Sequence, residues 1–124
     1  MRTVIGLAAL LWCATAAFAA PPVRTADHAG EQIFTDVKGM TLYTFDKDKP
    51  GKSNCNSECA ANWPPLMAAA DAKPEGNWTV VTREDGKKMW AHDGRPVYRF
   101  SGDKKPGDTK GNGFGGAWHL VKVH

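Results

Sequence analysis

The sequence is poor in the signatures that usually announce an enzyme. It contains no His-Glu-x-x-His pair for zinc, no Gly-x-Ser-x-Gly elbow around a serine and no Walker loop for a nucleotide. No other catalytic constellation takes their place. There is no strand–helix–strand alternation, which excludes a thioredoxin-like or doubly wound parallel sheet. Charge of one sign is also lacking. With 16 basic and 13 acidic side chains the formal net charge is only +3, too mild for a nucleic-acid binder. Helix-compatible stretches are few. Cysteine is scarce at three, and the single long apolar run lies at the N-terminus.

That run reads as an export signal. Arg2 supplies the positive end, Val4 to Ala16 the apolar segment, and Ala17-Phe18-Ala19 the small residues wanted at −3 and −1. Cleavage is expected after Ala19, giving a signal peptide over 1–19. The run is too short and too weakly flanked by charge to serve as a membrane span. Cys13 lies inside it behind the bulky Trp12, a poor context for lipid attachment. The expected product is periplasmic or secreted, with no transmembrane segment after processing and no lipid anchor.

In the mature chain, residues 20–30 ("APPVRTADHAG") lack apolar periodicity and read as a flexible leader to a single domain over 31–124. Within that domain, 33–37 and 41–45 flank Lys38-Gly39 as a hairpin. Residues 78–83, 88–92 and 95–100 are separated by Asp85-Gly86 and Asp93-Gly94, which are strong hairpin turns. Residues 117–123 form a closing strand after the Gly-rich loop "SGDKKPGDTKGNGFGG". Helix fits only "SNCNSECAANW", ahead of Pro64-Pro65, and "LMAAADA". The fold class is therefore mainly β: a small antiparallel domain with one or two short helices.

One motif is written twice. "TLYTFDKDKPG" from Thr41 returns as "PVYRFSGDKKPG" from Pro96. Tyr43, Phe45 and Asp48 map onto Tyr98, Phe100 and Asp103 at a constant offset of 55, as do Gly39 onto Gly94 and Trp63 onto Trp118. The domain is expected to consist of two related, hairpin-containing repeats near 33–66 and 88–123. Alternation on a strand puts Tyr43 with Phe45, and Tyr98 with Phe100, on the face opposite the charged Arg99. Those aromatics should point inward. Asp48 and Asp103 fall just past the strand ends, where a carboxylate accepts from loop N–H groups. An EF-hand calcium loop starting at Asp46 fails, because Pro50 stands where an oxygen ligand is needed and Ser57 where the terminal Glu is expected.

The double Tyr-x-[Phe/Trp/Tyr]-x-x-Asp pattern resembles the secreted-repeat lipoprotein family. The segment "CNSECAANWPPL" and the ending "GRPVYRFSGDKKPGD…GFGGAWHLV" carry the same resemblance. It spans roughly Ile33 to Val123. It implies a bacterial exported protein and assigns no biochemical role. The poor lipid-attachment context is a departure from the family pattern.

Cys55 and Cys59, in an exported chain, are expected to form a disulfide. A regular helix would strain that bridge, so any helix should start within the ring or be distorted. Two alternatives use the same pair. Cys-x3-Cys is also the copper motif of certain oxidase-assembly chaperones, and soft sulfur suits Cu(I), with His92 as third ligand and Met40, Met67 and Met89 as further donors. The other alternative is thiol redox chemistry, disfavoured by Glu58, which would raise a thiolate pKa. Otherwise neither cofactor nor metal is expected. Trp63, Trp78, Trp90 and Trp118 read as core, with Trp90 and His92 as candidate lining of a shallow aromatic groove. The expected function is a non-enzymatic, exported cell-envelope module that binds an envelope partner or a small ligand. A periplasmic copper-binding or thiol-redox protein is the alternative.

Overall fold

The computed structural model describes residues 20–124, and the signal-peptide and Cys13 expectations lie outside them. The chain is mainly β. It opens with a hairpin of β1 (Val23–His28) and β2 (Glu31–Asp36), in register from Val23↔Asp36 to His28↔Glu31. This corrects the expectation of a flexible leader over 20–30. The hairpin turns on Ala29 and Gly30, both left-handed at φ 51° and 84°, as a two-residue turn of the hairpin-favouring kind demands. β1 buries little of its own surface, which is why its sequence lacks a strand's apolar alternation.

The chain then turns through Gly39 and makes a bridge from Thr41 back to Thr35. Instead of extending that hairpin, β3 (Tyr43–Phe45) leaves β2 and pairs with β8 (Trp118–Leu120) at the far end of the chain. Between them come α1 (Glu58–Asn62), β4 (Met67–Ala68), β5 (Trp78–Thr82), β6 (Lys88–His92) and β7 (Arg95–Pro96). A 3-10 turn over Phe114–Gly116 precedes β8. The "LMAAADA" segment is not helical: it supplies β4, which pairs with β6, and then a turn.

The two repeats are larger than the shared motif indicated. The β5–β6 hairpin reproduces β1–β2, with Val80↔Trp90 standing where Thr25↔Phe34 stands. In both repeats the motif strand then follows. The two motif strands meet at Tyr43 and Tyr98, whose amides donate reciprocally to each other's carbonyls at 2.7 and 2.9 Å. Reciprocity of this kind is the pattern of a twofold dimer interface, here built inside one chain.

Each repeat also gives its last strand to the other. Leu66, at the end of repeat one, donates its N–H to Val97 and accepts from Trp90 in repeat two. Val121, at the end of repeat two, donates to Leu42 and accepts from Phe34 in repeat one. Neither half can therefore satisfy its own backbone groups alone, and unpaired buried amides are costly. The exchange makes the pair of repeats one folding unit.

The core follows the same symmetry. Phe45, Trp118, Trp63 and Phe100 form one column of rings, with successive centroids 4.2, 3.7 and 4.2 Å apart. Tyr43 meets Trp63 edge-on at 5.5 Å, and Tyr98 meets Trp118 edge-on at 5.3 Å. Such pairs contribute about 0.5–1.5 kcal/mol each beyond the area they bury. Gly111 belongs to this column, because a Cβ there would lie 2.8 Å from the Trp63 ring. Part of the Gly-rich run thus exists to let the loop cross over an indole. A second cluster contains Leu42, Leu66, Trp78, Trp90, Val97 and Val121.

Candidate functional site: tyrosine–carboxylate networks and a charged groove

Tyr43 and Tyr98 are fully buried, and Phe45 and Phe100 are half-buried against the same core. Arg99 is exposed, but Leu42, Thr44 and Val97 on its face of the motif strands are buried as well, so both faces are covered and the tyrosines point into only one of two core clusters. The carboxylates do more than close their own loops. Asp103 Oδ1 accepts from Lys110 N at 2.8 Å and Asp48 Oδ1 from Asn54 N at 2.7 Å, as expected for loop caps. Their second oxygens cross between repeats. Tyr43 Oη donates to Asp103 Oδ2 at 2.7 Å, and Tyr98 Oη donates to Asp48 Oδ2 at 2.7 Å. Each tyrosine is thereby held by the other repeat's aspartate.

The two networks then differ. Gly111 N–H donates to Tyr43 Oη at 3.2 Å. Tyr98 Oη instead shares a 2.6 Å bond with Ser53 Oγ, which accepts from Arg83 Nη1. Arg83 is almost wholly buried. Its other nitrogen donates to the Cys55 carbonyl at 2.7 Å and to Asn56 Oδ1 at 3.2 Å. Burial pushes both tyrosine hydroxyls well above the usual phenol range, and the neighbouring carboxylates push them further. Burial also raises Asp48, opposed by the bonds from Asn54 and Tyr98 and by the Arg83 charge.

Cys55 and Cys59 are joined as a disulfide, with Cα atoms 5.1 Å apart. The helix starts at Glu58, inside the ring, after Ser57 takes a positive φ of 55°. Cys55 is sealed in the cluster of Tyr43 and Trp63, whereas His92 packs at 4.9 Å on Phe34 and 4.7 Å on Trp78. The cysteine–histidine ligand set considered from the sequence is thus not assembled. Met89, one of the further donors considered, receives a bond from Arg83, and Met67 is exposed.

Trp90 does not line a groove. At 1% exposure it is one of the most deeply buried side chains, because β6 is covered on both faces and both edges. His92 does reach a cleft. Burial holds its imidazole below the usual histidine range, with Asp93 partly opposing and His124 adding to the shift. Its Nδ1 lies 3.5 Å from Asp93 Oδ2, and the His124 ring stacks beside it at 6.3 Å.

The cleft, of about 520 Å³, runs between Leu120–Lys122 and His124 on one side and His92, Asp93 and Arg95 on the other. A second cleft of about 230 Å³ adjoins it, lined by Phe45, Asp46, Asp48, Lys49 and Pro50. Arg95 lines both and is the residue these two parts of the groove share. The groove's carboxylates are occupied. Asp46 pairs with His119 at 2.8 Å, Asp48 holds Tyr98 and Asn54, and Asp93 faces His92 and His124. Lys122 pairs with Glu31 at 3.1 Å. Arg95 and Lys49 make no ion pair among the described residues. With the histidines neutral, Asp46, Asp48 and Asp93 balance Lys49, Arg95 and Lys122 in formal charge around the groove.

The twofold relation supplies a comparison within the molecule. Where repeat two has His92 and Arg95 across its turn, repeat one has Asp36 and Met40. Met67 stands where Lys122 stands. The fold tolerates methionine at two of the cationic positions, so charge there is not a folding requirement. The sequence reading found His92 and missed Arg95 and Lys49, because groove membership depends on the exchange of strands between repeats.

A family model described as a secreted repeat of unknown function matches residues 25–67 and again 79–122. These two spans coincide with the repeats as the strands define them, each starting in the first strand of a hairpin. No curated protein and no solved structure matches the chain.

Proposed function

This chain belongs to the family of secreted repeats of unknown function, and from that premise we propose that it is a binding module of the cell envelope whose ligand lies in the groove around Arg95. The observation that carries the reading is that Arg95 and Lys49, which line this groove, make no ion pair among the described residues. Surface cations without partners are common. Arg95, however, flanks a concavity whose counterpart in repeat one has Met40 at its place, which separates it from the needs of the fold. Concave sites with a few convergent polar groups are where ligands bind. The reading places the protein in the periplasm or outside the cell, consistent with a family described as secreted.

Binding rather than catalysis is supported by the states of the polar groups. Buried tyrosines with raised hydroxyls are poor acids and poor nucleophiles at neutral pH. The cysteines are tied to each other. A copper- or thiol-handling role would require reduction of that bridge, and nothing in the geometry favours it over the groove.

The test is a two-dimensional amide NMR titration of the folded chain with solubilised envelope material. Shifts clustered at residues 44–50, 92–95 and 118–124 support the reading. Shifts clustered elsewhere, or none at all, overturn it.

A further inference from the structure

We infer that the interface between the two repeats also forms between two copies of this chain, giving a swapped dimer in which repeat one of each copy closes on repeat two of the other. The partner is a second copy of the chain, and the inference stands apart from the choice of ligand.

The surface that each repeat offers already fits its counterpart. Tyr43 and Tyr98 trade their backbone bonds across it, and Leu66 and Val121 each complete the other repeat's pairing. Tyr43 Oη reaches Asp103, Tyr98 Oη reaches Asp48, and the Trp63 and Trp118 rings stack at 3.7 Å across the seam. None of these contacts requires the two repeats to lie in one polypeptide. A repeat parted from its own partner presents unpaired amides and an open aromatic stack, and the matching repeat of another copy fills both without any new contact.

The connection between the repeats leaves room for the swap. Residues 69–77 run from β4 to β5, and all but Ala72 are exposed. Their hydrogen bonds stay within the segment or go to repeat two. Ala72 N–H donates to the Ala69 carbonyl, Glu75 pairs with Trp78, Lys88 Nζ donates to the Ala70 carbonyl and Asp93 N–H to the Asn77 carbonyl. No hydrogen bond among the described residues ties the segment to repeat one, so it is free to open as a hinge. The ten steps from Ala68 to Trp78 reach roughly 33–36 Å when extended. In the closed monomer Ala68 and Thr82 both stand opposite Lys88, so ordinary strand spacing and rise make the gap about 17 Å.

The swap bears on the groove because both repeats line it. Phe45, Asp48 and Lys49 come from repeat one, and Arg95 and Leu120 from repeat two. A swapped dimer therefore carries two grooves, each built from both chains. A short flexible connection gives an effective concentration of about millimolar. Closed monomers accordingly dominate the wild-type protein below that concentration, and swapped dimers build up above it.

The experiment pairs two full chains, one carrying Leu42→Asp and the other Val97→Asp, at equivalent positions that are wholly buried. Each closed monomer then buries an unpaired carboxylate, which should leave it unfolded on its own. Refolded together well below millimolar, the two should rescue each other. Repeat one of the Val97→Asp chain and repeat two of the Leu42→Asp chain rebuild an unaltered lobe. Native mass spectrometry should show one chain of each kind in the complex, with a cooperative unfolding transition that neither chain has alone. A mixture as unfolded as its parts overturns the inference. A second variant shortens the hinge: deleting residues 70–75 leaves four steps from Ala69 to Trp78's side, a reach of about 14 Å, too short for the closed monomer. It should be a folded dimer of twice the chain's mass at every concentration, and a folded monomer overturns the inference as well. If shortening prevents folding, the paired variants decide. No ligand enters either readout, so failure here leaves the groove reading standing.

Discussion

Tyr43→Phe removes one oxygen from the centre of the molecule and little else, so its cost can be worked from the bonds that oxygen makes. Tyr43 Oη donates to Asp103 Oδ2 and accepts from Gly111 N–H, and both partners are buried. Without the hydroxyl, Asp103 keeps only the Lys110 amide, and the Gly111 N–H has lost its acceptor. A hydrogen bond to a charged group is worth about 1.5–3 kcal/mol, and a buried unsatisfied amide costs about 1–3 kcal/mol. Partial relaxation keeps the total below the sum of the upper values, at about 3 kcal/mol. Tyr98→Phe loses matching bonds, but its Asp48 is half-exposed and can turn to water, while Ser53 keeps Arg83. About 1–2 kcal/mol is expected there. Urea unfolding at neutral pH, with unchanged slope, gives both numbers. The ordering is the sharp part. If Tyr98→Phe costs as much as Tyr43→Phe, or both cost under about 0.5 kcal/mol, the crossed networks do not hold the repeats together.

Two further outcomes follow from the same interior. The chain has only two tyrosines, both buried and both raised, so a spectrophotometric alkaline titration reads these networks alone. A group whose folded pKa is raised contributes stability that is complete below its unfolded value and is lost above it. Stability should therefore fall above about pH 10, by up to about 1.4 kcal/mol per pH unit for each tyrosine. Phenolate should appear only together with unfolding, and smooth ionisation of the folded protein near pH 10 contradicts the burial argument. Replacing Cys55 and Cys59 together by alanine opens a ring of five residues and should cost about 2 kcal/mol in thermal or urea unfolding. The fold should survive, because repeat two builds the matching loop with Gly111 where repeat one has Cys55, so a double variant with no folded population rules out that equivalence.

Much of the fold could be read from local chemistry. The Asp93-Gly94 turn, the inward tyrosines and the cysteine bridge each depend on residues close in sequence, where turn geometry and strand alternation suffice. β1 escaped because Ala29-Gly30 is a weaker turn signal than Asp-Gly, and because an outer strand with one exposed face needs no apolar pattern. The strand exchange escaped for a different reason. A run such as "WHLVK" declares itself a strand, but its periodicity is silent about which strand it joins. The aspartates were half legible: loop capping is local, whereas the bond to the other repeat's tyrosine spans 60 residues in one case and 50 in the other. Trp90 was expected in the core with a groove as the alternative, because aromatic residues near a turn can serve as either, and it is in the core. What separates them is cover from β4 and β5, which is a tertiary fact.

The duplication gives this small protein an internal control that a single unrepeated domain lacks. Positions that agree across the twofold relation are the ones both halves need in order to close: the tyrosine, the capping aspartate, the tryptophan and the turn glycine. Positions that differ are released from that requirement. Some differences are alternative solutions to one problem, such as a disulfide in one loop and glycines in the other. The groove is of another kind, since Arg95 against Met40 and Lys122 against Met67 change charge while the strand pairing they belong to is kept. Lys122 spends its charge on Glu31, whereas Arg95 makes no ion pair among the described residues. In a secreted repeat whose interior is committed to holding its two halves together, the groove around Arg95 is where the two halves diverge most in charge, and the proposed binding role rests there.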